Sequence, residues 1–253
     1  MVSNNFEQWA LGFSGCDGGN PKGCVWLCGL EYGGDDTEES LSFPNVSRPS
    51  AINPKDETLL RYQYNWRAMK LLAALKGVRP AEYREFFRRQ SCFASDSDYF
   101  KLNLYPIAFK NTSHTRWASW LEKKTGFPTK QEYLTWCQTH RFRQLRRWAS
   151  EHAPRLIVCT GITHAREFCL AFGGKPESLR HAEASSKAIK YFTTNDDRTL
   201  VTIVYFFGGR YGLRSDEELC ATGGTLSDLV NKHTLPNNAF QLTHSRCALV
   251  RGA

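Results

Sequence analysis

The sequence contains four apolar runs, and each has the length of a buried strand. None of them alternates cleanly between apolar and polar positions, which is typical of strands that are covered on both faces, as in a parallel sheet between helix layers. The runs are Cys24–Leu30, Phe100–Leu104, Leu156–Thr160 and Leu200–Phe206. The pattern therefore predicts four buried, parallel strands.

Helical segments separate these runs. The predicted helices are Glu57–Lys76, Pro80–Arg89, Thr129–His152, Thr163–Phe172 and Ser215–Lys232. The last of them opens with a serine followed by acidic residues, an arrangement that caps a helix well. Strands that alternate with helices predict an α/β fold, a three-layer α/β/α sandwich around a central four-stranded parallel sheet.

The length of 253 residues and the hydrophobic share of 41% suit one domain of this class. We expect one domain over residues 1–253, with a core at about 23–230, an irregular N-terminal loop and an irregular C-terminal tail. No run approaches the ~18 apolar residues of a membrane span, and the first residues lack the pattern of a signal peptide. The nine scattered cysteines form no CxxC pair, which indicates core residues in a reducing compartment. These features predict a cytoplasmic protein without membrane contact. We expect it to be a monomer, although the features do not fix its oligomeric state.

Charge makes a polyanionic partner plausible. The chain has 33 Lys and Arg residues against 25 Asp and Glu residues, a formal net charge of +8. The excess is concentrated in Thr129–His152, through Arg141, Arg143, Arg146 and Arg147. A basic surface of this kind favours nucleic acid as the partner.

Candidate chemistry follows the strands, because ligands of parallel sheets bind beyond the carboxyl ends of the strands. After the first run comes Gly29–Asp36, with three glycines and three carboxylates. Asp35 and Asp36 alone are typical of an acidic surface turn. Glu31 is different, because it lies one residue past a buried strand, where a carboxylate can orient or deprotonate a water molecule.

The second run contains Asn103, a polar residue among apolar ones. A buried amide costs free energy unless its donor and acceptor are both used. Neighbouring backbone can satisfy it, or it can bind a ligand with one donor and one acceptor, such as a pyrimidine base. Downstream, Lys110, His114 and Arg116 suit phosphate contacts, although such a mixture is also common on ordinary loops.

The fourth run is followed by Phe206–Arg214, a glycine-rich loop with aromatic, apolar and basic side chains. Such a loop can insert a wedge into a duplex while Arg210 and Arg214 hold phosphates, or it can be a surface turn. The third run is followed by Thr163, which we interpret as a helix cap, and by His164, which we interpret as a surface residue.

Together these strand ends resemble the uracil-DNA glycosylase superfamily, whose fold is a four-stranded parallel sheet between helices. Gly29–Gly33 is similar to the family's first motif, Gly-x-(acid or Asn)-Pro-(Gly or Tyr). Asn103 occupies the place of the asparagine that binds the flipped pyrimidine. Ser113-His114 with Trp117, and the loop Phe207–Leu213, resemble two later features.

The resemblance implies a DNA glycosylase that flips out a modified pyrimidine, cleaves its N-glycosidic bond and leaves an abasic site, with no cofactor or metal. It implies that Glu31 activates water or stabilises the sugar cation and that Asn103 binds the base. The implied substrate contacts are Tyr32, Gly33, Phe43, which would stack on the base, and Phe207. The implied DNA contacts are Lys110, His114, Arg116, Arg210, Tyr211 and Leu213.

Two departures from the family pattern concern the substrate. Tyr32 replaces the proline of the first motif, and Phe206 and Phe207 stand where many members have a histidine. Gly33, where uracil-specific members have a tyrosine, leaves room at C5 of the pyrimidine. Bacterial relatives that defend against phage remove heavily modified cytosines. We therefore hypothesise that the substrate is a bulky 5-substituted cytosine, such as glucosylated hydroxymethylcytosine. The same resemblance implies that the protein is bacterial.

Two alternatives remain open at this point. One is a metal-dependent nuclease in which Glu31, Asp35 and Asp36 hold Mg²⁺. The other is a module that binds modified DNA without cutting it, which the missing histidine favours. Chelator sensitivity distinguishes the first alternative from a glycosylase, and binding without a product distinguishes the second.

Overall fold

A seven-stranded sheet lies at the centre of the protein in the computed structural model, which describes residues 2–34, 36–50, 52–53, 56–109 and 117–233. Its strands run in the order β1-β3-β2-β4-β7-β6-β5. They are β1 (Cys16–Gly19), β2 (Val25–Gly29), β3 (Tyr99–Asn103), β4 (Leu156–Thr160), β5 (Arg180–Ala184), β6 (Lys187–Thr194) and β7 (Thr199–Val204).

The four neighbouring strands β3, β2, β4 and β7 are mutually parallel. They are the strands that the apolar runs predicted, and every residue in them is buried. This burial explains why their sequences show no alternation: both faces of the sheet are covered, so both sets of side chains are mostly apolar. The α/β class is confirmed.

The prediction of a four-stranded sheet is wrong in the number of strands. Strand β1 adds to β3, and β6 and β5 continue the sheet beyond β7, all antiparallel. Strand β1 lies where only an irregular loop was expected, because its sequence, CDGG, lacks any apolar pattern. Its glycines permit a close approach to β3: a Cβ on Gly19 would lie 2.1 Å from the carbonyl oxygen of Tyr99.

Helices cover both faces of the sheet. One face packs against α1 (Asn4–Leu11), α4 (Ser119–Thr125), α5 (Lys130–Trp136), α6 (Phe142–His152) and α7 (Ala165–Phe172). The other packs against α2 (Gln63–Leu75), α3 (Tyr83–Arg89) and α8 (Asp216–His233). The expectation of an irregular N-terminal segment is wrong in part, because residues Asn4–Leu11 form helix α1. None of the helices in the described part of the chain is long and apolar enough to cross a membrane.

Local signals fix several helix ends. Ser215 Oγ accepts a hydrogen bond from the Glu218 amide at 3.1 Å, and the Glu218 carboxylate accepts one from the Ser215 amide, so the predicted cap forms a capping box.

The predicted helix 129–152 is interrupted by a π-helical turn, Cys137–Arg141, between α5 and α6. The tail after residue 233 lies outside the described residues.

The π turn ends at Arg141, which sequence reasoning placed on a basic surface but which is completely buried. Its guanidinium donates hydrogen bonds to the carbonyl oxygens of Leu104 (2.8 Å), Ser14 (2.6 Å) and Asn103 (3.2 Å), and to that of Ala10. One side chain therefore links the end of α1, the segment before β1 and the end of β3.

We expect Arg141→Met to lower the free energy of unfolding by about 3–5 kcal/mol, because several buried carbonyl groups lose their donor at ~1–3 kcal/mol each. Urea denaturation followed by circular dichroism measures the change. Arg143→Met, at an exposed position on α6 two residues further on, is the matched control and should change stability by less than about 0.5 kcal/mol. Equal stability of the two variants would contradict this role.

Candidate active site

Strands β2 and β3 end side by side, and this brings two of the predicted site residues to one edge of the sheet. Gly29 pairs with Asn103 in the parallel ladder. The pairing continues past the strands, because the Leu104 amide donates to the Gly29 carbonyl at 3.0 Å and the Tyr105 amide to the Leu30 carbonyl at 2.8 Å. Glu31 follows directly on this paired segment.

Gly29 is required by the close approach of the Asn103 side chain. A Cβ on Gly29 would lie 2.3 Å from Asn103 Oδ1 and 3.6 Å from the hydroxyl of Tyr64. That hydroxyl lies 3.0 Å from Thr160 Oγ1, at the end of β4. Polar groups from α2, β3 and β4 thus converge over the backbone of Gly29.

Asn103 is held firmly but keeps hydrogen-bonding capacity. It is 5% exposed. Its amide Nδ2 donates to the Gly15 carbonyl at 3.4 Å, the long end of the range, and no described residue donates to its Oδ1. Its backbone amide also donates to Gly15, at 2.8 Å. The side chain is therefore positioned by the backbone and can still accept a hydrogen bond from a ligand.

Glu31 is an unusual carboxyl group. Its side chain is only 8% exposed, and its Oε2 lies 3.8 Å from Nζ of Lys130 on α5. Its Oε1 has no hydrogen-bond partner among the described residues. Burial raises the pKa of Glu31 to about 7, and the positive charges of Lys130 and His164 limit the rise. A buried carboxyl that titrates near neutrality is typical of general acids and bases.

A cleft of about 520 Å³ lies next to this segment. Neither Glu31 nor Asn103 lines it, but Tyr32, which follows Glu31, and Gly15, which accepts a hydrogen bond from Asn103, do. Gly33 lines it, and a Cβ there would meet no atom within 4 Å. Burial, and then the charge of Asp17, raise the pKa of the Tyr32 phenol well above its usual range. Asp36 accepts a hydrogen bond from the Ala108 amide at 3.0 Å. The cleft is lined by Trp9, Phe13, Ser14, Gly15, Cys16, Tyr32, Gly33, Gly34, Asp36, Ser40, Leu41, Ser42, Val46, Ser50, Pro106 and Ala108.

Three predicted contact residues lie elsewhere. Phe43 packs against Phe6 and Trp9, with ring centroids 5.4 and 4.9 Å apart, and does not line the cleft. Phe207 and Leu213 are each 1% exposed. The hydrophobic core holds both side chains, so the structure presents neither of them at the surface, and their contact with a ligand stays a prediction. Phe43 is half-buried against α1, and its stacking on a base stays a prediction.

Other side chains of the loop after β7 are exposed to solvent. Phe206 is 50% and Tyr211 71% exposed, and Arg210 is exposed beside Tyr211. The Leu213 amide donates to the Phe206 carbonyl at 2.9 Å, which closes the base of the loop. The predicted residues Asp35, Lys110, Ser113, His114 and Arg116 lie outside the described residues.

The sequence reasoning missed Tyr64, Thr160 and Lys130. Tyr64 lies in the first turn of α2 among apolar and polar residues, so nothing local distinguishes it, and only its contact with Thr160 reveals its place in the site. Lys130 could have been noticed as a lysine that follows the cap residue Thr129, but nothing local predicts its complete burial. Within the described ranges, no three His, Cys, Asp or Glu side chains come together in a way that could hold a metal ion.

Comparison with known proteins adds no assignment: no family model matches the chain, and no curated protein matches it significantly. The geometry of the site is therefore the basis on which its function is interpreted.

We expect Glu31 to titrate near pH 7 in the folded protein, because burial disfavours its charged form. Lys130→Met should move this titration to higher pH, since the neighbouring positive charge is lost. Carbon-detected NMR of labelled glutamate carboxyls measures both values. Lys123→Met, at an exposed position on α4, should leave the titration unchanged. A Glu31 resonance that titrates near pH 4.5 would contradict the described environment.

Proposed function

We propose that this protein is a DNA glycosylase of the uracil-DNA glycosylase superfamily, which excises a modified pyrimidine and leaves an abasic site. The observation that carries the proposal is the convergence of Glu31 and Asn103 at one edge of the sheet, with Gly29 opposite Asn103. The four central parallel strands between two helix layers also support it. So does the net charge of +8, which favours a polyanionic partner.

Asn103 would bind the flipped base. A pyrimidine presents a donor and an acceptor side by side on its pairing edge, and an amide matches them with Oδ1 and Nδ2. Oδ1 accepts no bond from the described residues, and the bond from Nδ2 to Gly15 is long enough, at 3.4 Å, to be exchanged for one to the base. Gly29 allows this amide to lie directly over the strand.

Glu31 would act on the sugar. As the N-glycosidic bond breaks, the base departs with the bonding electrons and an oxocarbenium-like sugar forms. The Glu31 carboxylate stabilises that cation, or it accepts the proton of the water molecule whose oxygen bonds to C1′. Both roles need the ionised carboxylate, and the positive charge of Lys130 favours it.

The cleft, which Gly15 and Tyr32 connect to Asn103 and Glu31, supports a bulky 5-substituted cytosine as the substrate. Its volume of about 520 Å³ lies within the range of ~300–1,000 Å³ that is usual for ligand sites. The open space beside Gly33 leaves room for a substituent such as a glucosylated hydroxymethyl group. In the loop after β7, Arg210 and Tyr211 are the exposed candidates for contact with DNA, in place of the buried Leu213.

The first test is the release of a base in the presence of EDTA. DNA that contains uracil, 5-hydroxymethylcytosine or its glucosylated form is incubated with the protein, and hot alkali then reveals abasic sites. We expect cleavage of a bulky substrate in preference to uracil. Glu31→Gln should lower the rate at least about a hundredfold, because the charge and the general base are lost.

Glu183→Gln, at an exposed position on β5, is the matched control and should cleave as the wild type does. Equal activity of Glu31→Gln would refute the catalytic role. DNA binding with no abasic site on any substrate would favour a binding module. Strand breaks that appear only when Mg²⁺ replaces EDTA would favour a nuclease.

The pH dependence offers an independent check. We expect kcat/KM to rise with pH through about pH 7 and to level off above it, because the pKa of Glu31 is raised and only its ionised form is active. Lys130→Met should shift this midpoint to higher pH. A profile that is flat or falls over the same range would contradict the assignment.

A further inference from the structure

Three exposed aromatic side chains belong to two segments of the chain that pack against each other. Among the described residues, the exposed large hydrophobic side chains are Tyr62 (66%), Phe206 (50%), Tyr211 (71%) and Leu170 (37%). The first three lie at the start of α2 and in the loop after β7, and only Leu170, on α7, lies apart. Single exposed apolar side chains are ordinary, but a group of them on two packed segments indicates a binding surface.

Direct packing joins the start of α2 to this loop. The ring centroids of Tyr64 and Phe206 are 5.8 Å apart, and Arg67 donates a hydrogen bond to the Phe207 carbonyl. A Cβ on Gly208 would lie 3.6 Å from Gln63 Oε1. Because the Tyr64 hydroxyl also lies over Gly29 next to Asn103, this surface adjoins the proposed base site.

The same surface carries positive charge. Arg61, Arg210 and Arg214 are exposed, and none of them forms an ion pair with a described carboxylate within 4.0 Å. Two nearby carboxylates are already paired: Asp216 with Lys70 at 2.6 Å and Glu218 with Lys187 at 3.4 Å. Guanidinium groups that remain available beside accessible rings match a backbone of phosphates and the faces of bases.

We propose that Tyr62, Phe206 and Tyr211 form a stacking surface for unpaired bases that flank the target nucleotide, and that the substrate is therefore single-stranded DNA. The faces of bases are accessible in a single strand, whereas a duplex buries them in its own stack. The three rings are sequence-tolerant contacts, and Arg61, Arg210 and Arg214 hold the phosphates between them. This inference rests on the proposed glycosylase function for the identity of the target base.

Binding of unmodified DNA tests the surface without depending on cleavage. Fluorescence anisotropy is measured for a short labelled single strand, for the duplex of the same sequence and for the corresponding RNA, all in EDTA. We expect the single DNA strand to bind at least tenfold more tightly than the duplex. Tyr62→Ala, Phe206→Ala and Tyr211→Ala should each weaken its binding by about five- to hundredfold, since each removes a stacking contact.

Leu170→Ala is the matched control, because it removes an exposed apolar side chain far from the surface, and it should bind as the wild type does. Tyr62→Phe and Tyr211→Trp should retain affinity, since stacking needs only the ring. Arg210→Met should weaken binding and flatten its salt dependence. Tighter binding of the duplex or the RNA, or unchanged binding in the three alanine variants, would overturn the inference.

These experiments distinguish a failure of the proposed glycosylase function from a failure of the proposed stacking surface. Strong, ring-dependent binding of single-stranded DNA without abasic sites on any substrate would sustain the surface and refute the glycosylase. Cleavage of duplex substrates by variants without the rings would sustain the glycosylase and refute the surface.

Discussion

The buried guanidinium of Arg141 is the constraint on which the site depends. A charge in the core is costly unless hydrogen bonds replace its hydration, and here backbone carbonyls from three segments supply them. The result is a fixed junction between α1, the segment before β1 and the end of β3. Gly15 is part of this junction, since a Cβ there would lie 2.9 Å from Arg141 Nη2. Because Gly15 in turn accepts both hydrogen bonds from Asn103, the placement of the Asn103 amide is set by the buried Arg141.

Unlike the guanidinium of Arg141, the buried carboxyl group of Glu31 lacks a full set of hydrogen-bond partners among the described residues. Its carboxyl group has one neighbouring ammonium, 3.8 Å away, and an Oε1 without a partner in the described part of the chain. This incomplete compensation is what raises its pKa towards neutrality. A fully satisfied carboxylate would be more stable but less reactive, so a site that uses Glu31 gains from the imbalance. The proposed mechanism and the electrostatics of the site thus have the same origin.

The apolar runs predicted the centre of the fold because burial on both faces leaves a direct trace in the sequence. The edge strands left no comparable trace: β1 is built from glycine and polar residues, and β5 is largely exposed. In the site, Glu31 and Asn103 could be predicted because polar residues at the ends of buried strands are conspicuous. Phe43, Phe207 and Leu213 could not be placed, because an aromatic or apolar residue in a loop gives no sign of whether it packs inward. Tyr64 was missed because its partner Thr160 is 96 positions away in the chain.

The most direct test of the account is the identity of the small molecule released from DNA. Single-turnover reactions with a 5-substituted cytosine substrate in EDTA are analysed by mass spectrometry for the free base, with Glu31→Gln in parallel. We expect the wild type to release the intact modified base in an amount equal to the abasic sites, and Glu31→Gln to release almost none. A nucleotide product, or equal release by both proteins, would contradict it.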